Sequence, residues 1–265
     1  APVPHVPQID AIIAASAGLI TYDRGLNELV LSGALPQNQY RDLLIAYGGR
    51  PDTQTIHAAL RKASDASQEF LSDAELEQLE TFARRIRGEI FFARRWLLVE
   101  GPSDYHLVHG IAKGLGYDLD EHGVAVIDFQ NNGSPEIFAV LARALGYPWL
   151  AVVDGDAAGL GYIARITARK FSAEEMARRT FSLPAGYLEQ QLIADGLQNE
   201  LKAILVSFGN VGAADFDDAT LIAALENDKS GYAAVLAKQC AENPALAQRM
   251  PASFRNAILA LRGLT

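Results

Sequence analysis

The chain has 265 residues, 49% of them hydrophobic, enough for one large or two small domains with a real core. Its 32 acidic against 23 basic residues leave a formal net charge of −9, which argues against a protein that coats nucleic acid by bulk attraction. No apolar run reaches the roughly 18 residues that a bilayer span requires, and the single cysteine, Cys240, excludes an internal disulfide or a cysteine-based zinc finger and fits a reducing cytoplasm.

In chain order, residues 1–7 alternate prolines with small residues and predict a semi-rigid linker, without the charge and apolar run of a signal peptide. From residue 8 to about 87 apolar residues recur at spacings of three and four, which predicts an all-helical region. Ser72 with Glu75 three residues later forms a capping-box pattern, so a long helix is expected from there to about Arg94. Arg84, Arg85 and Arg87, with Arg94 and Arg95 close behind, form a local basic patch in an acidic chain. The first three are the candidate DNA contacts, although such a cluster is more often a solvated helix face.

Residues 88–185 read differently. Short β-prone runs, "WLLVE", "VAVIDF" and "WLAVVD", alternate with amphipathic helical stretches, and "TFSLP" adds a further short strand. Ser134, Pro135 and Gly146 bound the second helix at its cap, first turn and exit. A βαβαβα series of this kind predicts an α/β core with a parallel sheet and right-handed crossovers. Residues 186–265 return to helices, expected to pack with the first helical region.

Open parallel sheets place ligands at the carboxyl ends of their strands. Glu100 ends the first strand and Asp154 the third; Asp104 follows Glu100 by one helical turn, and Asp156 follows Asp154 across a glycine that permits a tight backbone. If the first and third strands are neighbours, four carboxylates meet on one rim. Such a cluster repels itself when empty, and hard cations such as Mg2+ relieve it. Each acid alone is more readily explained as a solvated helix cap; the combination is not. His106 and His109 stand three apart on a predicted helix, yet they lack the flanking acid or cysteine partners of a zinc pair and are expected to be surface or helix-packing residues.

"LLVEGPSD" with "AVVDGDAAG", about fifty residues apart in this frame, resembles the Toprim fold shared by topoisomerases, DnaG-type primases, RecR-like proteins and OLD-family nucleases. "FFARR" leading into "VEG", "GYDLDEHGVAVIDF" and "ARALGYPWLAVVDGD" are most similar to the OLD nucleases, over about residues 91–159. "LPAGYLEQQL" with Glu189 and "NDKSGYAAVLA" with Lys229 resemble the late acidic and lysine elements of that family. The resemblance implies a metal-dependent DNA nuclease that hydrolyses phosphodiesters with two Mg2+ or Mn2+ ions about 4 Å apart. Glu100, Asp104, Asp154 and Asp156 would be catalytic and metal-binding, Glu189 a further ligand, and Lys229 a stabiliser of charge on the phosphate. It also implies an ABC-type ATPase domain in the full-length polypeptide, although no G-x-x-x-x-G-K-[ST] loop occurs here, and a helicase-type partner. The alternatives are a Toprim strand-passage or DNA-binding module, or a dehalogenase-type phosphatase suggested by "DGDAAG", which leaves Glu100 without a task and puts Ala158 where that family has Thr or Val.

Overall fold

A computed structural model describes residues 3–85 and 89–264. The chain divides into two compact units, residues 1–82 with 168–170 and residues 83–167 with 171–265.

The first unit holds α1 (Gln8–Ala15), β1 (Ile20–Asp23), β2 (Glu28–Leu31), α2 (Gln37–Ala46), α3 (Thr53–Ser67) and most of α4 (Asp73–Arg85). The all-helical expectation misses the hairpin: β1 and β2 pair antiparallel, Ile20 with Leu31 through Asp23 with Glu28. Its turn is locally encoded, because Asp23 Oδ1 accepts the Gly25 and Leu26 N–H groups at 2.8 and 3.0 Å and Asn27 takes a left-handed φ of 52°. Residues 3–7 are no linker. Val3 and Val6 are buried in this unit's core beside Ile9, Ile20 and Leu43, and the Tyr22 and Tyr47 hydroxyls donate to the Val3 and Pro4 carbonyls. The prolines hide two valines that have an apolar face to cover.

Ser72 and Glu75 do form the expected capping box, with Glu75 Oε2 accepting the Ser72 N–H at 2.8 Å and Ser72 Oγ the Glu75 N–H at 3.3 Å. The helix they open is described to Arg85, and Glu89–Phe92 is a 3₁₀ turn rather than its continuation. Arg87 and the side chains of Arg84 and Arg85 lie outside the described residues.

The second unit is built on the expected parallel sheet, in the order β4-β3-β5-β6, from β3 (Arg95–Val99), β4 (Val124–Asp128), β5 (Trp149–Val153) and β6 (Thr180–Ser182). Its helices are α5 (Pro102–Gly114), α6 (Phe129–Asn132), α7 (Pro135–Leu145), α8 (Ala157–Ala168), α9 (Ala173–Arg179), α10 (Leu188–Ala194), α11 (Gln198–Ser207), α12 (Asp218–Glu226), α13 (Lys229–Glu242), α14 (Pro244–Ala247) and α15 (Ala252–Gly263). Gly146 ends α7 in the left-handed region at φ 72°, and its N–H bonds back to the helix, as the exit signal requires.

Strands β3 and β5 are apolar on both faces because both are covered. Leu97, Val99, Leu150 and Val152 point into one core with Leu107 and Ile111 of α5, Leu201 of α11, Leu236 of α13 and Phe254 of α15. Trp96, on the alternate face, meets Phe138 of α7 edge-on. The carboxy-terminal helices therefore complete the core of the sheet. The sheet leaves a broad apolar face open after α5 alone, and these helices carry the residues that fill it.

The pairing of α5 with α13 governs how closely the carboxy-terminal helices approach the sheet. A Cβ on Gly110 would stand 2.1 Å from the Ala237 carbonyl oxygen, and one on Gly114 2.1 Å from that of Cys240, so the two helices touch backbone to backbone. Gly110→Ala is expected to destabilise the chain by roughly 1–3 kcal/mol or more through overpacking, whereas Gly161→Ala in α8, where a Cβ meets nothing within 4 Å, should stabilise it by up to about 1 kcal/mol. Urea unfolding of both variants checks the contrast.

Candidate metal centre

The β3–β5 register aligns Val99 with Val152, so the residues that leave the two strands stand side by side. The neighbouring strands that the four carboxylates require are thus present. Glu100 is 5% exposed; its Oε2 accepts the Asp154 backbone N–H at 3.0 Å and its Oε1 the Gln130 Nε2 at 3.1 Å. Asp104, in the first turn of α5, sends Oδ2 back to the Gly101 N–H at 3.0 Å, while its buried Oδ1 has no partner. Glu189 enters from α10, 1% exposed, accepting the Tyr232 hydroxyl at 2.9 Å on Oε1 and lying 3.9 Å from Lys229 Nζ on Oε2. Lys229 keeps half of its side chain in solvent.

Glu100, Asp104, Asp154, Glu189 and Lys229 line one pocket of about 270 Å³ together with Gln130 and Ser230. Asp156 does not line it. Its Oδ1 accepts the Gly159 N–H at 2.8 Å and caps α8. The glycines of "DGDAAG" are forced by close approach: a Cβ on Gly155 would stand 2.0 Å from the Leu183 carbonyl oxygen, and one on Gly159 2.0 Å from that of Asp154.

Burial of so many acids costs the charged forms. Burial is the main cause that pushes Asp154 up to about 8, reinforced by Asp104 and Glu100. Burial likewise pushes Asp104 up to about 7, opposed by the Gly101 hydrogen bond. Glu100 is raised by burial, with the Asp154 N–H holding it back. An all-oxygen donor set suits a hard divalent cation, and the unpartnered Asp104 Oδ1 is an acceptor without a donor. Among the described residues, no three His, Cys, Asp or Glu side chains already form a ready metal cage. The residues fit an ion in kind, with side-chain turns still to be made.

Sequence reasoning missed two participants. Gln130 follows the end of β4, and Tyr232, inside the quoted "NDKSGYAAVLA" but given no role there, lies one helical turn beyond Lys229 on α13. His109 is a packing residue as expected, with Nδ1 2.8 Å from the Tyr105 carbonyl and its ring against that of Tyr105.

The raised acids carry a stability consequence. Between the unfolded value of 3.8 and about 8, folded Asp154 retains a proton that the unfolded chain has released, so the metal-free fold loses stability as pH rises through that window. Asp154→Asn should therefore raise the melting temperature in EDTA, more at pH 8 than at pH 5, by roughly 2–4 °C for each kcal/mol relieved. Calorimetric scans at the two pH values check it.

Comparison with known proteins bears on the segment and the fold. The family model for the OLD-like Toprim domain (overcoming lysogenization defect protein-like) matches residues 91–156. The uncharacterized protein YbjD of Escherichia coli (strain K12) is 31% identical over 130 residues, 49% of this chain and 23% of that protein, so the chain spans about a quarter of its relative's length. The carboxy-terminal region of the OLD protein of Xanthomonas campestris pv. campestris superposes with a TM-score of 0.52 at 22% identity, covering 66% of this chain and 95% of the other. That of Burkholderia pseudomallei gives 0.51 at 21%, covering 65% and 98%. These structures share the fold, and the matched segment holds Glu100, Asp104, Asp154 and Asp156. Residues 91–156 thus match the OLD-like Toprim domain, and the fold is the one seen in the carboxy-terminal regions of OLD proteins.

Proposed function

We propose that the chain is the catalytic region of a Mg2+- or Mn2+-dependent DNA nuclease. The observation that carries this reading is the crowding of the buried Glu100, Asp104 and Glu189 with the half-buried Asp154 at the carboxyl ends of adjacent parallel strands, with Asp104 Oδ1 left unpaired. Nothing in the packing rewards crowding four acids into one place unless positive charge is to join them.

Glu100 and Asp104, with help from Asp154, would hold one ion; Asp154, Asp156 and Glu189 would hold a second. When bound, divalent ions neutralise a phosphodiester and make water a stronger nucleophile. Tyr232 orients Glu189 by donating its hydroxyl to Oε1. Asp156 shapes the turn after β5 through its cap on α8. Lys229 stands on the pocket wall beside Glu189, with its ammonium partly in solvent, where an incoming phosphate meets it first. Family resemblance extends the proposal to an ABC-type ATPase elsewhere in the full-length polypeptide and a helicase-type partner, and the single cysteine extends it to a reducing cytoplasm. No helix among the described residues is long and apolar enough to cross a membrane.

A plasmid-cleavage assay with and without Mg2+ or Mn2+ is the direct test. Glu100→Ala and Asp154→Ala should each abolish metal-dependent cleavage with an unchanged circular dichroism spectrum; a variant that cuts at the wild-type rate would place the site elsewhere. Lys229→Ala should slow single-turnover cleavage by on the order of a hundredfold while binding Mn2+ nearly as well as the parent, because ammonium is not a ligand. Cleavage should also proceed without ATP, since the chain has no phosphate-cradling loop; strict ATP dependence of the purified chain would contradict the reading.

A further inference from the structure

We infer that Gln130 is a positioning residue that presets Glu100 for a divalent cation. This rests on the metal-site reading of the pocket and adds a residue outside its ligand set.

The turn from β4 into α6 clasps Glu100 twice. The Gln130 backbone N–H donates to the Glu100 carbonyl at 3.1 Å, and the Gln130 side-chain Nε2 donates to Glu100 Oε1 at 3.1 Å. The other carboxylate oxygen is fixed from β5, by the Asp154 N–H at 3.0 Å. Each carboxylate oxygen of Glu100 therefore has a donor of its own. A carboxylate offers about four lone-pair sites, so two hydrogen bonds orient the group and leave acceptor capacity for an ion. A glutamate without such a clasp has rotamer freedom that binding must remove.

Gln130 is suited to this and to little else. It is exposed, it fills no part of the core, and it lines the same pocket as Glu100, Asp104 and Asp154. Its amide lies over the strand-to-helix turn, where a Cβ on Gly101 would stand 3.3 Å from Gln130 Oε1, so glycine gives the amide room. Glu189 is oriented in the same manner by Tyr232, but Tyr232 is fully buried and its loss would disturb packing as well. Gln130 separates the two effects.

The test is calorimetric Mn2+ binding to the whole chain, paired with thermal melts in EDTA. Gln130→Met keeps the length of the side chain and removes the donor. It should weaken Mn2+ binding by about 10–100-fold, the scale for losing a partner that orients a metal ligand, with the EDTA melting temperature unchanged. Asn131→Ala removes a neighbouring bond of the same turn, from Asn131 Nδ2 to Asp128 Oδ2 at 2.7 Å, and should leave the Mn2+ affinity at the wild-type value. Equal affinity of Gln130→Met and wild type overturns the inference. So does equal weakening by both variants, which would assign the effect to the turn as a whole, and so does weakening matched by a fall in melting temperature, which would make Gln130 structural. A wild-type chain that binds no Mn2+ would instead overturn the metal-site reading itself.

Discussion

The parallel pairing of β3 with β5 is the constraint on which the rest of the second unit depends. It puts the Asp154 N–H, the first donor beyond β5, against the carboxylate that ends β3. That one bond, from the Asp154 main chain to the Glu100 carboxylate at 3.0 Å, holds two acidic residues side by side despite the cost of crowding them, because strand pairing is rigid where side chains are not. With Glu100 and Asp154 fixed by main chain, the remaining groups need only be delivered to them. The first turn of α5 delivers Asp104, α10 delivers Glu189 and the start of α13 delivers Lys229.

Delivery of Lys229, and of the Tyr232 that holds Glu189, depends on how closely α13 can approach. Gly110 and Gly114 form a small-residue stripe along α5, and the carbonyls of Ala237 and Cys240 rest on it. Any larger residue there would move α13 outward and carry Lys229 and Tyr232 with it. Glycine is costly within a helix, and here the cost is offset by a contact that side chains cannot make. Gly155 and Gly159 repeat the same solution around Asp154. The acids thus sit among backbone groups, which explains both their burial and the poor solvation that raises Asp104 and Asp154 toward neutral pH.

The sheet was legible because its signals are local and redundant. Apolar β-prone runs, a cap at Ser134 with Pro135, and a left-handed Gly146 each point to the same element boundaries. Glu100 and Asp154 were legible as strand-end acids, and their meeting followed once the strands were neighbours. The hairpin at Ile20–Leu31 was missed because short strands between helices give few residues to count. Val3 and Val6 were hidden by flanking prolines that read as linker. Gln130 lies in no quoted motif, and Tyr232 sits inside "NDKSGYAAVLA" with nothing there to mark its task. Their roles come from reaching a partner 30 and 43 residues away, which no spacing rule encodes. Asp156, read from the pattern as a rim acid, also caps α8 with Oδ1, a second use that the pattern does not announce.

The backbone contact between α5 and α13 also fixes when the pocket comes into being. Glu100, Asp104 and Asp154 all leave the ribosome before Glu189 and Lys229, and α13 follows α5 by more than a hundred residues. At synthesis rates of about 5–20 residues per second, several seconds separate the first acids from the lysine. Through that interval the strands have neither their final helical cover nor the cation beside Glu189. A nascent chain therefore holds only part of its acidic apparatus until α10 and α13 have been made.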